Sequence, residues 1–167
     1  MKISILLPYK ENFSPTYAGA VSIFINDTLK ISKFKKNTIV YGNTKYKEKF
    51  NTNYVNLNYS KSIIKSTTKS YISEFLKKEK ASNSNIIEFH NRPSYLKYLT
   101  NIKYAKKVLY FHNDPLEMNG SKQTDDRIFL LDNLDKIIFN SDWSKSRFIR
   151  NLPDTYAHSN KLQIIKQ

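Results

Sequence analysis

Short apolar runs rich in Ile, Val, Leu and Phe return along the whole chain, and most are separated by segments whose apolar residues recur at helical spacing. Residues 3–7 (ISILL), closed by Pro8, read as a buried parallel strand. A polar loop over residues 9–17 leads into a helix over residues 19–34, with Val21, Phe24, Ile25, Leu29 and Ile31 as its apolar stripe. Residues 37–41 predict a second strand, ended by Gly42, and residues 54–57 a weaker third. Residues 61–80 predict a helix whose stripe is Ile64, Tyr71, Ile72, Phe75 and Leu76 and whose other face is rich in lysine. Further strands are predicted at residues 85–89, 107–111, 136–139 and 161–165. Helices are predicted between them over residues 94–101, over 125–133, and from Ser141 or Asp142 to about Arg150.

Strands that alternate with helices need crossover connections, and the outcome is an α/β fold. The expected architecture is a Rossmann-like parallel sheet flanked by helices. No repeat of fold size and no linker divides residues 1–167, so one domain is expected. Hydrophobic residues make up 40% and aromatics 14%, enough for a packed core. The absence of cysteine excludes disulfides and thiolate metal sites. The apolar start is cut at Pro8, too early for a signal peptide, and no apolar run approaches the ~18 residues of a membrane span. These features predict a cytoplasmic protein, free or at the inner face of the cytoplasmic membrane. The net charge of +14 suits anionic partners such as lipid headgroups or phosphorylated substrates. The same charge also fits an AT-biased composition in which lysine fills solvated positions, and both readings stay open.

Two strand ends look alike. Residues 87–93 read IEFHNRP and residues 109–115 read LYFHNDP. Each places a histidine, His90 or His112, just beyond a buried strand. Ligands of open α/β sheets bind in the crevice past those ends. The third histidine, His158, falls in a polar tail and is expected at the surface. A single such imidazole commonly bonds a loop carbonyl. A pair, with Arg92, Asn113 and Asp114 beside it, points instead to a binding or proton-transfer site. A zinc site is not expected, because Asp114 and Glu117 lack a recognisable ligand spacing.

Two further passages could meet a ligand. Ala18 and Gly19 open the first helix, where small residues let an anion reach backbone N–H groups, or simply allow close helix–sheet packing. No dinucleotide or P-loop fingerprint is present. Ser141 and Asp142 follow a strand and start a helix; Asp142 is read as a cap and Ser141 as a rim residue. Arg127 either faces a phosphate or holds the loop before it.

Together these features resemble the N-terminal domain of retaining GT-B glycosyltransferases of family four, the group 1 type. MKISILLPY followed by YAGAVSIFINDTLK is similar to that family's first strand, glycine-rich loop and first helix. IIEFHNRP, LYFHNDP and LDKIIFNSDWSKSRF are similar to its later strand ends, and the HNRP form to members that build cell-surface polysaccharides. The resemblance implies that His112 is the catalytic histidine. It places His90, Arg92, Asn113 and Asp114 along the acceptor cleft, with Ala18 and Gly19 near donor phosphate and acceptor. Ala18–Gly19 stands where the family has a double glycine. The implied reaction moves a sugar from a nucleotide-sugar donor to a glycan or lipid-linked acceptor, without a metal or other cofactor. Nothing in the chain matches the family's donor-binding C-terminal domain. The expectation is therefore an acceptor-side half, inactive alone, that needs that domain in cis or in trans. The alternative is a non-catalytic Rossmann-like module that binds an anionic polymer or membrane surface through its lysines. Nucleic acid is not expected, since no RNA- or DNA-binding motif accompanies the charge.

Overall fold

A computed structural model describes residues 1–59 and 66–166. The chain forms two compact units, Met1–Ile87 and Glu88–Gln167. Its strands lie in the order β3-β2-β1 within the first unit and β4-β5-β6-β7 in the second. This is the Rossmann-like parallel α/β architecture that the alternating pattern requires.

In the first unit, β1 (Ile3–Leu6) pairs in parallel with β2 (Thr38–Gly42), and β2 with β3 (Tyr54–Asn56). Helix α1 (Ala20–Ile31) lays Val21, Ile25 and Leu29 on Ile5, Leu7, Phe13 and Val40. Fully burying a side chain of this size contributes roughly 1.5–3 kcal/mol. Ile31, expected in that stripe, is 89% exposed. The helix ends there because Ser32 takes an extended backbone and its Oγ accepts the Phe34 N–H. Helix α2 (Thr67–Ser82) buries Tyr71, Ile72 and Phe75, with Ser66 as its N-cap. The predicted start of this helix, with Ile64, lies outside the described residues.

The buried stripe of α2 also carries a charge. Glu79 is fully buried. Its carboxylate accepts the Ser4 hydroxyl of β1 and the Ser84 N–H. Glu79 lies four residues after Phe75 and seven after Ile72, so helical spacing puts it on the buried stripe. Nearby, the Tyr71 hydroxyl donates to the Leu7 carbonyl at 2.9 Å, tying α2 to the end of β1.

The second unit begins within β4 (Ile86–His90), which lies beside β5 (Lys106–Phe111), and β5 pairs in parallel with β6 (Lys136–Phe139). β6 pairs in parallel with β7 (Leu162–Ile164). The helices are α3 (Leu96–Leu99), α4 (Thr124–Asn133), α5 (Asp142–Ile149) and α6 (Asp154–Ala157). The segment predicted as a helix over 94–101 is a 3-10 turn at Pro93–Tyr95 followed by one turn of α3. The core is aromatic: Phe111, Phe139 and Phe148 are fully buried, with ring centroids 5.3–5.7 Å apart.

The segment between β5 and α4 is closely braced. Asp114 caps a 3-10 turn at Pro115–Glu117, and the buried Ser121 hydroxyl donates back to the Pro115 carbonyl at 2.5 Å. Gly120 has φ +93, and a Cβ there would fall 2.7 Å from the Ser94 amide nitrogen. Only glycine fits both the angle and the approach.

Candidate functional site

β4, β5 and β6 end in polar residues at one rim of the second unit. His90 is the last residue of β4, His112 follows β5, and Asn140 follows β6. His90 Nδ1 lies 2.8 Å from His112 Nε2, and His90 Nε2 lies 2.7 Å from Glu88 Oε1. His90 is fully buried, and the Glu88 side chain is one-quarter exposed. The Tyr110 ring stacks on both imidazoles, 5.5 Å from His90 and 4.5 Å from His112. The sequence pair thus becomes one contiguous carboxylate–imidazole–imidazole row. Because the facing nitrogens are at hydrogen-bond distance, they point at each other rather than jointly at an ion. Among the described residues, no group of three or more His, Asp or Glu side chains is arranged to hold a metal.

The His112 backbone is fixed from two sides. Asn91 takes the left-handed conformation (φ 50) and is buried, and its Oδ1 accepts the His112 N–H at 2.8 Å. Asn140 Nδ2 donates to the His112 carbonyl at 2.8 Å. Asparagine is among the few residues that visit φ > 0 readily. The choice of Asn91 therefore serves both the turn and the hydrogen bond.

The remaining residues of the predicted site fare differently. Asp114 Oδ1 caps Leu116, while Oδ2 meets Arg147 Nε and Nη2 at 3.0 and 2.9 Å. Burial pushes the Asp114 carboxyl up, but Arg147 and the Leu116 N–H outweigh it and hold it below its ordinary range. Arg92 donates to the Asn91 carbonyl at 2.9 Å. Asn113 is exposed. Ser141 Oγ accepts the Ser144 N–H at 3.1 Å, so Ser141, and not Asp142, caps α5. Arg127 is buried, and its guanidinium donates to the carbonyls of Ser121, Lys122 and Arg150. Of the two roles open to it, the structure shows the loop clamp. Burial lowers its pKa, only partly offset by Asp126. His158, which follows α6, is exposed.

In the first unit, the start of α1 already holds an anion. Glu11 Oε1 accepts the Ser22 N–H at 3.0 Å, and a Cβ on Gly19 would fall inside the Glu11 carboxylate. The glycine expected to admit a ligand anion thus admits the chain's own carboxylate. Ala18, just before it, is half-buried. A cavity of about 510 Å³ lies beside the loop after β1, lined by Tyr9, Lys10, Asn43, Lys45, Tyr46 and Tyr59 among others.

Sequence reasoning passed over Glu88, Tyr110, Asn140, Arg147 and Glu11. Two of these carried a signal. Glu88 precedes His90 by two residues and Tyr110 precedes His112 by two, and alternate residues of a strand share a face.

No family model and no curated protein sequence matches the chain. Solved structures do. A chain of sucrose-phosphate synthase from Thermosynechococcus elongatus superposes with a TM-score of 0.62 at 8% identity, covering 99% of this chain and 89% of that one. Anabaena HepE in complex with UDP-glucose gives 0.61 at 11%, covering 99% of this chain and 44% of that one. A longer synthase chain gives 0.67 at 8% and is covered over 48% of its length. The chain thus spans less than half of HepE and of the longer synthase chain. At such identities the likeness is one of fold, and the fold is that of the Rossmann-like domains of GT-B glycosyltransferases.

Proposed function

We propose that the chain is the acceptor-side, N-terminal half of a retaining GT-B glycosyltransferase of family four. It would move a sugar from a nucleotide-sugar donor to a glycan or lipid-linked acceptor, at or near the inner face of the cytoplasmic membrane. The observation that carries this reading is His112, clamped by Asn91 and Asn140 at a strand end. Its support from comparison is the shared fold with HepE, whose structure holds UDP-glucose. Among the described residues no helix is long and apolar enough to cross a membrane.

In this reading His112 contacts the transferred sugar or the acceptor hydroxyl, and the His90, Arg92, Asn113 and Asp114 cluster lines the acceptor side. Tyrosine rings suit sugar faces, and the lysines beside Tyr9 and Tyr46 suit an acidic or phosphate-bearing acceptor. The donor half lies in a second domain, in cis or in trans. It supplies the cationic groups for the leaving diphosphate, and no metal or other cofactor is called for.

The test is a transfer assay on the protein that joins this chain to its donor-binding half, run with UDP-, GDP- and dTDP-sugars. Nucleotide release that depends on acceptor, and that falls on His112→Ala, is the expected result. Release unaffected by His112→Ala, or no release with any donor, overturns the reading. The competing module would bind anionic vesicles equally well with or without His112, with a steep salt dependence.

A further inference from the structure

We propose that Glu88 and His90 are positioning residues that lock His112 into a single tautomer, with its proton on Nε2 and Nδ1 as the acceptor nitrogen. The part this plays in sugar transfer rests on the function proposed above; the tautomer itself does not.

The argument follows from counting protons. A carboxylate has only acceptor oxygens, so the 2.7 Å contact is donated by His90 Nε2–H. With His90 taken as the neutral imidazole, which carries one proton, its Nδ1 accepts. The 2.8 Å contact to it is therefore donated by His112 Nε2–H. His112 is left with its lone pair on Nδ1. His90 is fully buried, so water does not substitute for either partner. The Tyr110 ring lies within 12–15° of both imidazole planes and holds the row flat. The two asparagines fix the height of the His112 backbone.

The row also gives an accepted proton somewhere to go. When a hydroxyl gives its proton to His112 Nδ1, an O–H bond breaks and an N–H bond forms. The Nε2 proton of His112 passes to His90 Nδ1. His112 is neutral again, now protonated on Nδ1, and the positive charge rests on His90 against the Glu88 carboxylate. A buried imidazolium is costly alone and tolerable beside that carboxylate. The hydroxyl oxygen bonds the sugar carbon as that carbon's bond to the leaving diphosphate breaks, and the row resets when the Nδ1 proton of His112 leaves to solvent and the His90 Nδ1 proton returns to His112 Nε2. Glu88, two residues from His90 on the same strand face, thus acts on the reacting centre through His90.

The test is long-range ¹H–¹⁵N correlation spectroscopy of the 167-residue chain with ¹⁵N-labelled histidine, near neutral pH. The expected pattern for His112 is a protonated Nε2 and an unprotonated Nδ1. The opposite pattern, or two averaged nitrogens, overturns the proposal with no variant needed. Glu88→Ala is expected to average the two His112 nitrogens, and Glu88→Gln, whose amide oxygen accepts the same bond, to keep them distinct. A His112 pattern unchanged in Glu88→Ala removes Glu88 from the row. In the transferring protein, Glu88→Gln is expected to lower kcat about tenfold with KM for the nucleotide sugar unchanged, since only the charge is lost. An unchanged kcat overturns the proton step. A chain that shows the tautomer but whose full protein transfers no sugar sinks the function and leaves the lock standing.

Discussion

Asn91 Oδ1 accepts the backbone N–H of His112 at 2.8 Å, so a left-handed residue after one strand sets the position of the residue after the next. Removing this arrangement has two separable costs. Asn91→Ala loses the bond and forces an alanine to φ 50, which together cost about 2–4 kcal/mol. Asn91→Gly keeps the backbone at ease and loses the bond, at about 1–2 kcal/mol. Chemical denaturation of both variants checks the order. Equal losses would mean that the backbone conformation plays no part.

His112→Ala should leave the fold intact, since the ring is half-buried and its backbone bonds do not depend on it. Transfer by the complete protein should fall by about 100-fold or more. Circular dichroism with a steady-state assay separates the two effects. An unfolded variant, or one of full activity, contradicts the assignment.

The Asp114–Arg147 pair makes stability depend on acid. The Asp114 carboxyl sits below its ordinary value of 3.8 in the folded chain because the Arg147 and Leu116 bonds outweigh its burial. A carboxyl lowered by folding contributes stability above its unfolded value and loses it as pH falls through the folded one. Asp114→Asn should therefore lower Tm at neutral pH, and the gap to the parent should narrow at an acid pH well below the ordinary 3.8. Melting curves at both pH values decide it; a constant gap would show that the charge contributes nothing.

Glu11 and Gly19 form a testable pair at the start of α1. Gly19→Ala puts a methyl group where the Glu11 carboxylate lies, so it must push that carboxylate off the Ser22 N–H. The cost should be about 1–2 kcal/mol, of which the lost cap is a part. In a Glu11→Ala background, Gly19→Ala should cost much less. Additive losses in the double-mutant cycle would mean that the two residues do not compete for space.

Much of this fold was legible because parallel strands buried on both faces write themselves as apolar runs, and β6 was bounded correctly at both ends. Where local backbone chemistry decided the outcome, the pattern misled. Ile31, two residues past Leu29 on α1, points away from the buried stripe, and Pro93 made a 3-10 turn out of a predicted helix. Buried polar partnerships were the least legible. Glu79 falls at i+4 from Phe75 on the buried stripe of α2, but nothing in the sequence names its partner Ser4, 75 residues away. The histidines were found because both follow apolar runs. Asn91 and Asn140, which hold His112, come from other strand ends, and no sequence spacing joins them to it.

The brace at Gly120 bears on how such a chain can diversify. The segment from Asp114 to Arg127 is stitched to itself and seated on Ser94, so an insertion between Pro115 and Ser121 would have to unseat the turn that follows His90. New ligand preferences grafted there would disturb the histidine row before altering what it meets. The segment from Asn43 to Asn53, which lies in the other unit and contributes Asn43, Lys45 and Tyr46 to the tyrosine-lined cavity, carries no such penalty. It is the stretch of chain where exchange of sequence should change preference while leaving the row as it stands.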